Sequence, residues 1–433
     1  MTNGEPRLTR PAWDDPEAML GVDEARLHIR AAFSPLAPVL LPILETLGLV
    51  LAEDVVSTED IPPFRNSAMD GFAVRSIETA AATVGAPVRL VVRGEVAAGH
   101  ARSLDVASGT AIRIMTGAVV PDSADAVIRF EEVIEHGGSA PGANIASAEL
   151  EIVLSRPVQV WENVRHAGED VSAGTLVLHA GTVVRPAHIA LLAAMNRPSV
   201  AVVRRPVIAI LSTGDEVVEI DARLEPGQIR NSNSYLLAAM TRQFGGEPVM
   251  IGIAADSEQD IQQHLRACDN ADLLVTSGGV SMGDFDVVKR VLQNEGRIDL
   301  WQVRMKPGKP MAFGSIGETA LLGLPGNPLA AAVAFTQFGR PAIRRMLGLP
   351  DGPPPTIRAR LVADIENHGL RRHFVRGVVE KQEHEYVARP VSTSGPLAGL
   401  AEANGFIVIP ENCGRVLRGA LVDVELFDDG STL

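Results

Sequence analysis

Residues 272–289, DLLVTSGGVSMGDFDVVK, place Gly278, Gly279 and Ser281 between an apolar run and two carboxylates, Asp284 and Asp286. An apolar run, a Ser/Gly turn and an amphipathic segment in succession read as strand, loop and helix start. The glycines permit positive φ and close ligand approach, and free N–H groups at a helix start favour an anion. A bare anion beside Asp284 and Asp286 is repelled unless a cation or a proton intervenes. The window therefore points to metal-assisted chemistry on a phosphorylated ligand. Its bland alternative is an ordinary strand-to-helix turn, with Asp284 as the cap and Asp286 as a first-turn carboxylate stabilised by the helix dipole.

Other clusters combine chemistry-bearing residues with turn formers. TGDE (213–216) follows the apolar run VIAILS, so Thr213, Gly214 and Asp215 form a tight turn that presents Glu216, or simply a surface turn. KPGKP (306–310) sets Lys306 and Lys309 about a Pro-Gly turn where they can clamp an oxyanion, or stay solvated. LPGNP (324–328) opens an alanine-rich helix, with Asn327 as a ligand contact or no more than an N-cap. In the first half, PPFRNSAMDG (62–71) contains Asp70, RIMTG (113–117) contains Thr116 and HAGED (166–170) contains Asp170. Alone, none of the three names a chemistry. A P-loop lysine motif, a nucleophile-elbow serine, HExxH and a Rossmann glycine fingerprint are all missing from the sequence.

The elements that must position these clusters change character along the 433 residues. Helical spacing of apolar residues is expected over 23–33, with Asp23 as cap, and over 39–54, interrupted at Pro42. From 62 to 154, short β-branched runs with glycines read as a β-rich unit with a loop at 136–148, and 155–200 resumes the first region. From 206 to 345, strands and helices alternate as in an α/β layer with a largely parallel sheet, where ligands bind beyond the carboxyl ends of the strands. TGDE, SGGVSMGD and LPGNP all fall at such ends. After GLPDGPPP (348–355), short alternating runs read as a small β domain. The net charge of −14, spread along the chain, argues against nucleic-acid or anionic-membrane binding. Two distant cysteines, Cys268 and Cys413, suggest no disulfide framework and a reducing cytoplasm. No apolar run reaches the length of a membrane span, and the opening residues do not read as a secretory signal.

Taken in order, PPFRNSAMDGFAVR, RIMTGA, AGEDV, TGDE, TSGGVSMGDFD, KPGKPMAFG and LPGNP follow the pattern of one family. From about residue 20 onward, the chain resembles the molybdopterin molybdenumtransferases, which include the E domain of gephyrin. The resemblance implies a multidomain α/β plus β chain in an elongated homodimer. A flexible tail (1–20) would precede a split N-terminal domain (21–61 and 155–195) with an inserted β-rich domain (62–154). A three-layer α/β molybdopterin-binding domain with a parallel-rich sheet (196–347) and a C-terminal β-barrel (348–433) would follow.

The resemblance also implies a reaction: insertion of molybdenum from molybdate into adenylylated molybdopterin, with release of AMP, aided by Mg2+. Matched residue by residue, Asp70, Asp170, Glu216, Asp256 and Asp286 look like catalytic positions, Glu216 and Asp286 among them as metal ligands. Thr116, Thr213, Gly278, Gly279, Ser281 and Asn327 look like contacts of the pterin substrate, and Lys306, Lys309, Arg371 and Ser394 like the molybdate side. Cationic and hydroxyl donors suit a tetrahedral dianion. Arg65, His373 and the stretch STSGPLAGL depart from the family's pattern. Transient contacts with a molybdopterin adenylyltransferase and with molybdoenzymes are further expectations. The competing functions are an ATP-dependent molybdopterin adenylyltransferase and a dimeric, non-enzymatic scaffold.

Overall fold

Strand Val207–Thr213 is apolar from Val207 to Leu211 and buried from Ile208 onward, and its apolar side chains divide between two cores. Ile208 and Ile210 join Leu273, Val275, Leu322 and Leu324 on one side; Ala209 and Leu211 join Leu274, Leu321, Ile261 and Leu265 on the other. Period-two alternation with both faces buried requires a cover on each face. Helices Val22–Ala31, Ser232–Gln243, Pro328–Ala334 and Arg340–Met346 supply the first, and Glu258–Arg266 the second. The sheet has six strands, in the order Glu247–Ala254, Val207–Thr213, Leu273–Ser277, Thr319–Leu324, Pro310–Ile316, Gly296–Gln302. Neighbours are parallel through Thr319–Leu324 and antiparallel beyond it. This is the expected three-layer α/β arrangement with a parallel-rich sheet.

The computed structural model describes residues 19–99, 104–136, 150–268, 270–279, 291, 296–350, 352–369 and 371–428. Ser281, Asp284, Asp286, most of the loop at 136–148 and, apart from Val291, the expected helix from 287 lie outside the described residues. Two units divide the chain: residues up to 40, 48–52 and from 201 onward form one, and 41–47 with 53–200 the other.

In the first unit, Arg372–Gln382, Glu385–Pro390, Thr356–Leu361, Leu421–Leu426 and Gly405–Ile409 close into a barrel, because Gly405–Ile409 pairs back onto Arg372–Gln382. Closure removes the exposed edges of so small a sheet. Leu361, Val379, Ala388, Ile407, Ile409 and Val424 fill it. The two-residue strand Met305–Lys306 pairs in parallel with Arg372 and His373. The expected helix after Pro328 is interrupted by a π-helical turn, Phe335–Gly339. Pro341 has no N–H to donate to the carbonyl four residues back. That carbonyl, of Gln337, instead accepts from Arg26 Nε at 3.4 Å.

Two local expectations are corrected. Residues 39–54 are not helical: Pro38–Pro42 is a strand with alternating exposure, followed by a 3-10 turn at Ile43–Thr46. The prolines lack donors for a helical ladder, and period two wins over the apparent helical spacing. Asp23 is not the cap of the first helix, a place taken by Gly21. From the first turn, Asp23 instead accepts two bonds from the Arg372 guanidinium, at 3.0 and 2.7 Å, pinning this helix to the barrel.

The second unit holds a six-stranded sheet in the order Ala126–Arg129, Gly71–Val74, Thr110–Ile114, Val88–Val96, Glu151–Leu154, Val133–His136. Only Val88–Val96 and Thr110–Ile114 run parallel; the other neighbours are antiparallel. Phe72, Leu90, Ile128 and Ile152 pack on one face, and Ala73, Ile112, Ile114 and Val127 on the other. Gly71 lies so close to the next strand that a Cβ there would sit 1.9 Å from the Ile128 carbonyl oxygen. Gly71→Ala is expected to destabilise this unit by about 1–3 kcal/mol, the usual range for overpacking. Thermal denaturation checks it, and an unchanged melting temperature would contradict the close approach.

Candidate active site

The carboxyl ends of three adjacent parallel strands finish in glycine turns that lie against one another. Gly214 follows Thr213, Gly278 follows Ser277, and Gly326 follows Leu324 and Pro325. A Cβ on Gly278, which has φ +100°, would meet the Thr213 carbonyl oxygen at 2.8 Å and Oγ1 at 2.9 Å. A Cβ on Gly326 would lie 3.7 Å from the Gly278 α-carbon. These glycines keep the strand ends bare of side chains, so a ligand can reach backbone N–H groups directly. Gly279 also has positive φ, +68°.

Polar side chains surround this floor. The Asn233 amide donates to Ser277 Oγ at 2.7 Å and to the Gly326 carbonyl at 2.8 Å, tying two strand ends together. Asn231 caps helix Ser232–Gln243 and accepts from Ser212 Oγ at 2.8 Å. Thr213 Oγ1 is buried with no hydrogen-bond partner among the described residues, and so is Asn233 Oδ1. Buried polar atoms are rarely left unpaired, and here both sit at the strand ends. The Glu216 carboxylate folds back over Gly214: its Oε2 would lie 2.6 Å from a Cβ there, so Gly214 supplies space as well as its φ of +132°. Asp215 Oδ1 accepts from the Asp256 backbone N–H at 3.0 Å, placing Asp256 beside the same turn. Asn327 caps helix Pro328–Ala334, accepting from Leu329 and Ala330 N–H at 3.0 and 3.3 Å.

A basic group continues from this edge. Gly308, between Lys306 and Lys309, approaches the first turn of the Asn327-capped helix; a Cβ there would lie 3.5 Å from the Ala330 carbonyl oxygen. Parallel pairing sets Lys306 opposite His373. Burial, then the charges of Lys306 and Arg371, push the His373 imidazole down to about 4. Arg371 is held in place through its carbonyl, which accepts from the buried Asn367 amide at 3.0 Å. Ser394 is not brought into this group by any described contact. Its loop hangs from Arg376, which donates to the Gly395 and Thr393 carbonyls at 2.7 and 3.1 Å. Arg376 leaves its strand on the face opposite to His373.

In the second unit, Asp70 and Thr116 meet. Asp70 Oδ1 accepts from the Thr116 N–H at 2.7 Å and from its hydroxyl at 2.8 Å. These bonds hold the exposed carboxyl below the usual carboxylate range, the backbone donor first. Oδ2 stays available for a further partner. Asp170 is exposed on a loop whose N–H donates to the Ile61 carbonyl at 2.9 Å. Arg65 spends its charge on Asp122 at 2.7 Å and stacks over Trp161.

Sequence reasoning missed Asn233, Asn367 and the paired role of Gly214 and Gly326. The Asn-Ser repeat at 231–234 was the signal for Asn233; Asn367 carried none, since besides the nearby Arg371 carbonyl its amide bonds the carbonyls of Pro410 and Cys413, far along the chain. A cavity of about 910 Å3 lies elsewhere in the first unit, lined by residues such as Met240, Phe244, Leu400 and Phe427, and none of the candidate residues reaches it.

A bare glycine edge at the carboxyl ends of a parallel-rich sheet is the place where α/β proteins receive their ligands. Three family models cover most of the chain: the MoeA N-terminal region (domain I and II) at 20–196, a probable molybdopterin binding domain at 209–345, and the MoeA C-terminal region (domain IV) at 358–427. Molybdopterin molybdenumtransferase 2 of Mycobacterium tuberculosis is 36% identical over 413 residues, 94% of this chain and 99% of that protein. The molybdopterin molybdenumtransferase of Nostoc is 38% identical over 84% of this chain and 83% of that one. A crystal structure of the molybdopterin biosynthesis moeA protein of Pyrococcus horikoshii superposes with a TM-score of 0.80 at 32% identity, covering 95% of this chain and 99% of that one. The chain belongs to the molybdopterin molybdenumtransferase family.

Asn327→Ala is expected to lower stability by about 1 kcal/mol through loss of the cap, while Asn327→Asp retains it. Urea denaturation of the two variants checks this.

Proposed function

We propose that this chain completes molybdenum cofactor biosynthesis by inserting molybdenum from molybdate into adenylylated molybdopterin, releasing AMP. The observation that carries the reading is the contiguity of the glycine-lined strand ends with Lys306 and Arg371 through the Asn327-capped helix. The first half suits a phosphate approached by backbone; the second suits a tetrahedral dianion. Gly278, Gly279, Ser281, Thr213 and Asn327 are the proposed pterin-phosphate contacts, and Lys306, Lys309, Arg371 and, by family match alone, Ser394 the molybdate contacts. Glu216, bent over the floor, sits where it can orient water or a cation at the reacting phosphate. Asp256 borders that turn, and Asp70 with Thr116 and Asp170 are proposed as further active-site residues.

Mg2+ fits this chemistry. No group of three or more His, Cys, Asp or Glu side chains converges on a metal position among the described residues. Mg2+ needs no such cage: it commonly takes one or two carboxylates and completes its shell with substrate phosphates and water. Glu216 and Asp286 are the proposed carboxylates. When bound, the ion would neutralise charge on the leaving phosphate. A homodimer, a division into a split N-terminal domain, inserted β domain, α/β domain and barrel, and transient contacts with an adenylyltransferase and molybdoenzymes complete the proposal. Among the described residues, no helix is long and apolar enough to cross a membrane.

Given adenylylated molybdopterin, molybdate and magnesium, the purified protein is expected to release AMP and to yield cofactor that activates an apo-molybdoenzyme. Glu216→Gln and Asp286→Asn should each slow AMP release by about 100-fold or more, the range for losing a positioned acid–base or charge-stabilising group. Full activity in both folded variants would sink the assignment.

A further inference from the structure

His373 stands at the seam between the lysine turn and the barrel. Its register partner is Lys306, so the two side chains leave the paired strands on the same face. Arg371, two residues earlier, lies near enough for its charge to act on the imidazole together with that of Lys306. Nδ1 of His373 is buried with no hydrogen-bond partner among the described residues. A buried ring nitrogen flanked by two permanent cations and lacking a partner is arranged for a guest that brings acceptor oxygens and negative charge.

Among the described residues, no carboxylate fills that role. The neighbouring strand Gly405–Ile409 carries no titratable residue. Just beyond it, Glu411 pairs with Arg304 at 3.9 Å and Arg372 at 3.6 Å, and Asp23 is committed to Arg372 and Arg26. Arg372 alternates with His373 along the strand and so points to the opposite face. Among the described residues, the charges that act on the imidazole are therefore those of Lys306 and Arg371, with Lys309 on the adjoining turn.

We propose that His373 is a third holder of the tetrahedral oxyanion, resting as a neutral imidazole between Lys306 and Arg371 and taking up one proton from solvent when the dianion binds. The proposal rests on the reading of Lys306 and Arg371 as the molybdate side. In the empty group, burial and the two cations keep the ring neutral at neutral pH. A dianion at contact distance cancels both charges and turns repulsion of a proton into attraction. The protonated ring then donates its Nδ1–H to an anion oxygen, a stronger bond than a neutral imidazole provides. Linkage makes the effect reciprocal: because the bound state holds the proton more tightly than the free state, affinity rises as pH falls through the interval between the two pKa values. His373 thus supplies a third positive charge only while the anion is present.

The test is calorimetric titration of molybdate into the full-length protein, in buffers of different ionisation enthalpy, at several pH values between about 8 and about 6.5. The wild type should take up a measurable fraction of a proton and bind more tightly toward the acid end, by at most about tenfold per pH unit. His373→Gln keeps a neutral donor but cannot ionise; it should bind several-fold more weakly, with no linked proton. Lys306→Ala should lose most binding. Unchanged proton uptake in the glutamine variant, or none in the wild type, overturns the role of His373 while leaving the site intact. Wild-type affinity in the Lys306 variant overturns the molybdate reading itself.

Discussion

The two-residue ladder between Met305–Lys306 and Arg372–His373 is the constraint on which the arrangement of the first unit turns. It stitches a closed barrel, which has no free edge of its own except here, onto a segment of the α/β layer. Because the pairing is parallel, Lys306 and His373 emerge side by side, and the same ladder fixes Arg371. Register is worth much here, since a slip of one residue would send His373 to the opposite face and put Arg372 beside Lys306. Arg372 guards against the slip. It is held bidentately by Asp23 from the first helix, a geometry that a displaced guanidinium could not keep. Behind it, Arg26 bonds the Gln337 side chain, and Gln337 in turn donates to the buried Glu425 at 2.6 Å. Burial raises the Glu425 carboxyl, and the surrounding arginines and Gln337 oppose the rise. The first helix, the π turn and the barrel are thus joined by one polar network.

The second constraint is steric. Parallel strands in this sheet end beside one another, and each ending that bears on the candidate site is closed by a glycine: Gly278 and Gly326 pack against a neighbour's backbone, and Gly214 under the Glu216 carboxylate. A side chain at Gly278 would strike Thr213, and one at Gly214 would displace the Glu216 carboxylate. The glycines that permit close backbone packing also leave these strand ends bare, so packing and the proposed binding of a phosphate would make one demand on these positions rather than two. The unsatisfied Thr213 hydroxyl and Asn233 carbonyl show where that economy has a cost: polar groups of this kind destabilise the empty protein by roughly 1–3 kcal/mol each unless a ligand, water or neighbouring segment pairs with them.

Much of this was legible in the sequence wherever chemistry and local structure coincide. VIAILST and LLVTS announce buried strands by composition, their glycine endings announce turns, and Asn327 before Pro328 announces a capped helix. The reading failed where a long-range partner decides. Asp23 resembles a cap because Asp is a good one, yet Arg372, far along the chain, outbids the helix terminus for its carboxylate. Residues 39–54 carry apolar residues at spacings that suit either period, and two prolines without donors settle the matter. The pairing of Lys306 with His373 was invisible because register between distant strands leaves no local mark, and the bond of Asn367 to the Cys413 carbonyl is just as remote in sequence.

A chain of net charge −14 that handles anionic substrates cannot attract them by its overall field. It must hold its cations locally, and several arginines are already paired: Arg65 with Asp122, Arg156 with Glu132 and Glu162, Arg204 with Asp272, Arg372 with Asp23. Against that pattern, the group of Lys306, Arg371 and His373 stands out: burial first, and then the charges of Lys306 and Arg371, lower the imidazole, with no carboxylate among the causes. A carboxylate within reach would have opposed that lowering. Local positive potential kept uncompensated by the fold is costly in a folded protein, and its simplest physical reason is an anion that arrives from outside.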